Sequence, residues 1–250
     1  MRTIAIGDVH GCFTLLTRLL SKIEIGYPTD DKLVFLGDLV DRGPDPVAVV
    51  HLVRELCAKG LAVCIRGNHE EKVIRWFQKE ELQRTTGQKN RMQSPPPSRL
   101  QEWRQLSQDD REWFSSLPDY LEVIPGWYAV HAGFEARPMA EQKSDKVCRI
   151  RYVNALTGKM KSPDEKDIYS QPIESVEWMR CWTGPQNVVY GHATHSLGTP
   201  RVDRVGGGVE TWGIDTGACY GGNLTALVLE TKEVIQVSDG VKYSRWLGGK

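Results

Sequence analysis

The chain has 250 residues, 40% of them hydrophobic and 26% charged, a balance typical of a globular protein with a sizeable core. Equal numbers of basic and acidic residues give a formal net charge of zero, which excludes a general attraction to nucleic acids or anionic membranes. Six cysteines without a CxxC pair, no bilayer-spanning apolar run and no room for a signal peptide before Gly7 predict a cytoplasmic protein with reduced thiols, by default a monomer.

The first half of the chain alternates strand and helix patterns. Short apolar runs predict strands at Thr3–Ile6, Leu33–Leu36 and Leu61–Ile65. Apolar residues at helical spacing predict helices at Phe13–Ile23, Asp45–Lys59 and Glu70–Glu81. This order, taken alone, predicts a parallel sheet covered on both faces.

The second half begins with a polar stretch, residues 82–99, which contains Gly87 and three consecutive prolines and is predicted to be a mobile connector or lid. A helix is predicted over Leu100–Leu117, with an N-cap signal at Ser107. Strands are then predicted at Tyr120–Ile124, Trp127–Val130, Val188–Tyr190, Glu210–Ile214, Leu224–Leu229 and Glu233–Val237. Residues 137–182 show no clear pattern, and no composition shift divides the chain, so residues 1–250 are expected to form a single domain.

Five polar clusters each follow an apolar strand. They are Gly7-Asp8-Val-His10-Gly11, Gly37-Asp38-Leu-Val-Asp41-Arg42-Gly43, Arg66-Gly67-Asn68-His69-Glu70, His131-Ala-Gly133 and Gly191-His192. Ligands of open α/β sheets bind beyond the carboxyl ends of the strands, so the clusters are expected to meet at one edge. A single Gly-Asp is usually only a turn, but four of the six histidines fall in these clusters, which favours a site. His51 is expected on a helix surface and His195 in a loop.

The residue types predict a site for two divalent metal ions. Carboxylate, imidazole and amide oxygen suit Mn, Fe or Zn, and no thiolate set accompanies them. Asp38 is the candidate bridge, and the other candidate ligands are Asp8, His10, Asn68, His131 and His192. Two ions about 3.5–4 Å apart can clamp a phosphoryl group and activate a shared water as hydroxide, the expected nucleophile.

The remaining cluster residues are predicted to act beside the metals. His69 is a candidate general acid for the leaving oxygen, and Asp41 a candidate partner that holds its ring and favours the imidazolium. Arg42 and Arg66 are candidates for binding phosphate oxygens by bidentate hydrogen bonds.

At these motifs the chain resembles the metallophosphoesterase superfamily, and more closely the PPP-type phosphoprotein phosphatases of the small bacterial and bacteriophage lambda kind. GDVHG, GDLVDRG and RGNHE match the three leading family motifs in order, and HAG and GHA match the later histidine motifs. The stretch from Ile214 to Thr225 is also similar to PrpE-like dinucleoside tetraphosphatases and to bacterial polynucleotide kinase-phosphatase. The resemblance implies an α/β calcineurin-like fold, a central β-sandwich flanked by helices, in place of a single parallel sheet.

The resemblance implies the same six metal ligands, the same acid pair and the same two phosphate-binding arginines. It also implies a further arginine beyond the HAG motif, for which Arg151 is the candidate and Arg149 the alternative. Asp215 is expected near the pocket, with orientation of His192 as a hypothesis.

The function implied is a metal-dependent phosphoester hydrolase, with Mn favoured over Fe or Zn. A serine/threonine protein phosphatase-like phosphomonoesterase, acting on phosphorylated protein or on small phosphoesters, is the leading expectation. The alternatives are symmetrical hydrolysis of diadenosine tetraphosphate and removal of phosphate from RNA ends. Asp41 and Glu70 favour the phosphatase over symmetrical hydrolases, which usually carry GDLVARG and GNHD. A catalytically inactive binding module is disfavoured, because no ligand or acid is missing.

Overall fold

The computed structural model describes residues 1–24, 30–161 and 175–244. Its strands, in chain order, are β1 (Thr3–Ile6), β2 (Lys32–Phe35), β3 (Ala62–Cys64), β4 (Tyr120–Ile124), β5 (Trp127–Val130), β6 (Tyr152–Asn154), β7 (Met160–Lys161), β8 (Ser175–Glu177), β9 (Asn187–Tyr190), β10 (Arg201–Gly206), β11 (Val209–Gly213), β12 (Leu224–Val228) and β13 (Glu233–Val237). Its α-helices are α1 (Phe13–Ile23), α2 (Pro46–Ala58), α3 (Asn68–Thr86), α4 (Pro97–Gln105), α5 (Gln108–Ser116) and α6 (Ser144–Val147). Short 3₁₀ helices span Met139–Glu141 and Trp178–Cys181.

Two five-stranded mixed sheets form the centre of the fold. The first has the order β13-β12-β1-β2-β3 and the second β10-β11-β9-β5-β4. Three parallel strands lie in each, β1, β2 and β3 in the first and β11, β9 and β5 in the second, and their other neighbours run antiparallel. The β-sandwich implied by the family resemblance is therefore confirmed, and the single parallel sheet suggested by periodicity alone is wrong.

Alternating side chains of the strands face different layers of the core. On β1, Ala5 packs between the two sheets with Val189 and Leu227, while Ile4 packs toward the helices with Leu16. Burial of both faces explains why β1 and β2 are apolar without alternation. A third cluster lies on the far side of the second sheet, where aromatic side chains pack beneath the small sheet β7-β6-β8.

The predicted elements outside residues 137–182 are confirmed within a few residues, apart from one helix. The helix predicted over 100–117 is two helices, α4 and α5, because the chain breaks at Leu106 and Ser107 caps α5 by accepting from the Asp110 N–H. The connector predicted over 82–99 is shorter, since α3 continues to Thr86 and α4 begins at Pro97. His51 lies on the surface of α2, as predicted.

Two parts of the fold were not predicted. β10 pairs with β11 at the edge of the second sheet, although its sequence suggested no strand. The small sheet β7-β6-β8 falls within the stretch 137–182, where the sequence showed no pattern, and residues 162–174 of that stretch lie outside the described residues. No helix in the described ranges is both long and apolar enough to cross a membrane.

Leu227 offers a test of the layer between the sheets, since its side chain is fully buried there. We expect Leu227→Ala to lower the free energy of unfolding by about 2–5 kcal/mol, because truncation leaves a cavity between two close-packed sheets. Leu156→Ala, at a site that is 80% exposed, should change it by less than about 0.5 kcal/mol. Urea denaturation measures both, and equal effects would show that the inter-sheet packing is not as described.

Candidate metal centre

The predicted ligands meet at one edge of the sandwich, where parallel strands of both sheets end. The first sheet leads into Asp8, His10, Asp38 and Asn68, and the second leads into His131 and His192. The His192 backbone N–H donates to Asp8 Oδ1 at 3.1 Å, joining residues 184 positions apart in sequence. The two sheets therefore each supply part of one site.

Asp38 lies at the centre of this site. Its Oδ2 is 3.4 Å from His10 Nε2, and its Oδ1 is 3.3 Å from His131 Nε2. Two sets of side chains could each hold a metal ion, His10 with Asp38 and His69, and Asp38 with His131 and His192. Because Asp38 belongs to both sets and turns one oxygen toward each, it has the geometry of a bridging ligand.

The candidate ligand atoms are arranged to bind a cation rather than to form hydrogen bonds with one another. His131 Nδ1 donates to the Leu36 carbonyl at 2.7 Å, so Nε2 of the neutral ring carries a lone pair. That lone pair faces Asn68 Oδ1 at 3.0 Å and Asp38 Oδ1 at 3.3 Å, both hydrogen-bond acceptors. His10 is arranged in the same way, since its Nδ1 donates to the Val40 carbonyl and its Nε2 faces Asp38. Backbone carbonyls thus select the tautomers that a metal requires.

The protonation states also suit metal binding. Burial lowers the pKa of His10, His131 and His192, so their rings are neutral near pH 7. Burial opposes ionisation of Asp38, but the charges that the neighbouring histidines carry when protonated, together with the charge of Arg42, outweigh it and hold the Asp38 pKa below its usual range. Burial and the nearby carboxylates of Asp215 and Asp38 raise the pKa of Asp8, a repulsion that a bound cation would relieve.

Left-handed backbone is concentrated at this edge. Most non-glycine residues with positive φ among those described belong to the site, namely His10 (45°), Asp38 (50°), Asp41 (69°), Arg42 (71°) and His192 (65°). Such conformations are unfavourable for residues with a Cβ and persist where the surrounding structure imposes them, often at functional sites.

Glu70 stabilises the loop that carries Asp38. Its buried carboxylate accepts from the backbone N–H groups of Asp38, Leu39 and Gly67, at 2.8, 2.8 and 3.0 Å. Burial, together with the Asp38 charge, raises the pKa of Glu70 to about 7. A Cβ on Gly67 would collide with both the Asp38 and Glu70 carboxylates, so only glycine fits there. The sequence placed Glu70 in the motif but did not suggest this supporting role.

The predicted acid pair is in direct contact. His69 Nδ1 lies 2.5 Å from Asp41 Oδ2, and His69 Nε2 points into the site, 3.8 Å from Asp38 Oδ2. Burial disfavours the charge of Asp41, yet the hydrogen bond with His69 and other neighbours outweigh it and lower the Asp41 pKa. Asp41 is also held from α4, because Trp103 Nε1 donates to Asp41 Oδ1 at 2.7 Å and Arg99 lies 3.6 Å from the same oxygen.

Arg42 and Arg151 lie against the candidate ligands. The guanidinium of Arg42 donates to His10 Nε2 at 2.6 Å and lies 3.2 Å from His69 Nε2, with its plane near the Tyr220 ring. Arg151 Nε donates to His192 Nε2 at 3.2 Å. Both arginines are positioned to reach an anion at the metal centre.

Other predicted residues face elsewhere. Arg66 donates to Asp119 and Ser144, and Arg149 pairs with Glu71 of α3, so neither guanidinium contacts a ligand in the described structure. Asp215 accepts from the Thr194 hydroxyl and the Gly217 N–H, whereas the ring nitrogens of His192 face Asn68 and Arg151. The structure therefore gives no support to direct orientation of His192 by Asp215.

Comparisons with known proteins agree on the family. The family model of the calcineurin-like phosphoesterases matches residues 1–226. The asymmetrical bis(5'-nucleosyl)-tetraphosphatase PrpE of Anoxybacillus flavithermus is 30% identical, over 95% of this chain and 94% of the relative. The enzyme of the same name from Geobacillus thermodenitrificans is 31% identical, over 89% and 88%.

Solved structures share the architecture. The crystal structure of a candidate diadenosine tetraphosphatase is similar with a TM-score of 0.72 and 27% identity, covering 95% of this chain and 93% of that one. A metallophosphoesterase from Sphaerobacter thermophilus has a TM-score of 0.54 at 19% identity, over 95% and 89%, a likeness of fold alone.

The shared position of Asp38 leads to a test of metal content. Asp38→Asn should reduce the bound metal toward none, because it weakens both ligand sets, whereas Asp8→Asn should retain about half of the wild-type content. Asp109→Asn, whose side chain is 74% exposed on α5, is the matched control and should bind as the wild type does. Elemental analysis of the purified proteins measures this, and a full metal content in Asp38→Asn would exclude the bridging role.

Proposed function

The chain belongs to the calcineurin-like phosphoesterase family and is a hydrolase of phosphoesters, and on that premise we propose that its substrates are dinucleoside tetraphosphates, cleaved asymmetrically. The observation that carries the choice of substrate is the match, over nearly the whole of both chains, to relatives named for this reaction. The symmetrical reaction was the alternative that the family resemblance left open, and the names of these relatives favour the asymmetrical one.

The residues at the sheet edge suit a substrate rich in phosphate. Two divalent ions that share Asp38 would supply Lewis acidity to the phosphoryl group and lower the pKa of water. We propose that the six predicted ligands hold them and that His69, although it lies within reach of the first ion, stays free to act as an acid. Arg42 and Arg151 can donate to the non-bridging phosphate oxygens from two sides, Arg42 beside His10 and Arg151 beside His192. We propose manganese as the metal, with iron or zinc as alternatives, because the donors are carboxylate, imidazole and amide.

His69 is proposed to protonate the leaving oxygen. Asp41 accepts from Nδ1 and so directs Nε2 toward the substrate. Trp103 and Arg99 do not contact His69. They bind Oδ1 of Asp41 and so orient Oδ2, the oxygen that accepts from His69. They are positioning residues rather than catalytic ones.

A phosphomonoesterase acting on phosphoserine or phosphothreonine is the second candidate, and the intact acid pair is the observation that favours it. An alkoxide is a poor leaving group and needs a proton from His69, whereas a nucleotide phosphate leaves readily without one. A general acid would accelerate an enzyme restricted to tetraphosphates less than it would accelerate a phosphomonoesterase. The contact of His69 with Asp41 is nevertheless present, and Trp103 of α4 supports it.

The proposed reaction has a distinctive product pattern. The Mn-loaded protein should convert diadenosine tetraphosphate into equal amounts of ATP and AMP, resolved by ion-exchange chromatography. Two molecules of ADP would indicate the symmetrical reaction instead. Release of phosphate from a phosphoserine peptide, with the tetraphosphate left intact, would favour the protein phosphatase. Asp38→Asn serves as the control for metal-dependent turnover.

Trp103→Phe tests the support of the acid pair. The variant keeps a buried ring but removes the N–H donated to Asp41, so we expect kcat for a phosphoserine peptide to fall by about tenfold. For p-nitrophenyl phosphate, whose leaving group needs less protonation, the loss should be smaller. Trp76→Phe is the matched control, because the indole N–H of this neighbouring tryptophan has no hydrogen-bond partner among the described residues. Equal losses on both substrates would point to a general structural effect.

A further inference from the structure

A cavity of about 160 Å³ opens beside the metal centre, on the side of His192. It lies between the second sheet, the 3₁₀ helix at Trp178 and the loop that follows His192. Since a water molecule takes up about 30 Å³ of liquid, the cavity has room for one ring system rather than a whole nucleotide. We propose that it binds the nucleobase of the substrate, an inference that rests on the proposed function.

Part of the cavity wall is aromatic and suits a planar group. Trp178, Tyr152 and Tyr190 line it. Trp178 is held rigidly, because its ring packs edge-on against those of Phe134 and Tyr190, with centroids 6.2 and 5.2 Å away. Tyr152 is half-buried and offers a ring on which any base can stack, while the buried rings of Trp178 and Tyr190 fix the shape of the wall in advance.

The polar groups of the cavity suit the edge of a base. Glu177 lines it, and its carboxylate is fixed by two hydrogen bonds from Arg201, at 2.5 and 2.7 Å. Tyr190 is fully buried, and its hydroxyl has no hydrogen-bond partner among the residues that the structure describes. An exocyclic amine of the base could donate to the Glu177 carboxylate, which lines the cavity in a fixed orientation.

Arg151 connects the cavity to the metal centre. It lines the cavity and also donates to the ring and the backbone carbonyl of His192. A base in the cavity would therefore bring its own 5'-phosphate, the α-phosphate, to the metal centre while its ribose passes Arg151. The more distant phosphates would extend away from the cavity.

This placement determines which bond breaks. The oxygen of water forms a bond to the α-phosphorus, and the bond from that phosphorus to the bridging oxygen breaks. The bridging oxygen leaves with the electron pair as the end of a nucleoside triphosphate, and the two protons of water pass to solvent or neutralise the products. The balance is one water consumed, with one nucleoside monophosphate and one nucleoside triphosphate formed, which is the asymmetrical outcome.

Calorimetry tests base binding without any turnover. AMP should bind the Mn-loaded protein about tenfold more tightly than ribose 5-phosphate, which has the same phosphate but no base. Ala193→Phe, which places a ring in the cavity, should abolish this preference. Ala193→Leu, a smaller change that serves if the phenylalanine variant does not fold, should reduce it. Ala140→Phe, at an exposed alanine outside the cavity, is the control and should retain the preference. Equal affinities in the wild type, or a preference retained in both Ala193 variants, would overturn the inference.

Hydrolysis of diadenosine tetraphosphate in ¹⁸O-labelled water tests the position of attack. Under single-turnover conditions the label should appear in AMP, because the α-phosphorus accepts the water oxygen. Label in ATP would show attack at the β-phosphorus and would overturn the placement of the base. Formation of ADP alone would instead disprove the asymmetrical reaction, and the calorimetric result would still decide whether the cavity binds a base.

Discussion

The Asp38 carboxylate must remain ionised although its side chain is only 2% exposed, and the site is organised around this requirement. An isolated buried carboxylate would take up a proton, since an apolar environment disfavours its charge. Here the His69 backbone N–H, in the first turn of α3, donates to Asp38 Oδ1 at 2.9 Å, and the positive charge of Arg42 favours the carboxylate. Glu70 holds the same loop from its other side.

Much of this arrangement could be predicted, because the residues responsible are close together in sequence. β1, β2 and β3 are short apolar runs, and each is followed by a glycine-containing polar cluster. The same stretches of sequence therefore predicted both the strands and the candidate ligands Asp8, Asp38 and Asn68. The division into two sheets was not visible in the periodicity. A strand buried on both faces is equally apolar in one sheet or in a sandwich, and the family resemblance supplied the distinction.

The parts that escaped prediction depend on contacts between distant segments. Trp103 reaches Asp41 across 62 positions, from a helix whose sequence carries no motif. Arg66 lies in a motif, yet its guanidinium pairs with Asp119, which adjoins β4 and would be taken for an ordinary surface residue. Short strands such as β10 also lack a clear hydrophobic pattern, because an edge strand whose side chains are only half-buried requires few apolar residues.

The division of the ligands between two sheets has a consequence for folding. Only a chain with both sheets in place can present His131 and His192 opposite Asp38, so metal ions held by these residues would bind the native state in preference to the unfolded one. By mass action, a site exposed to free metal at one hundred times its Kd gains about 2.7 kcal/mol of stability. The supply of metal would thus be linked to folding, because each ion would connect residues that the two sheets contribute separately.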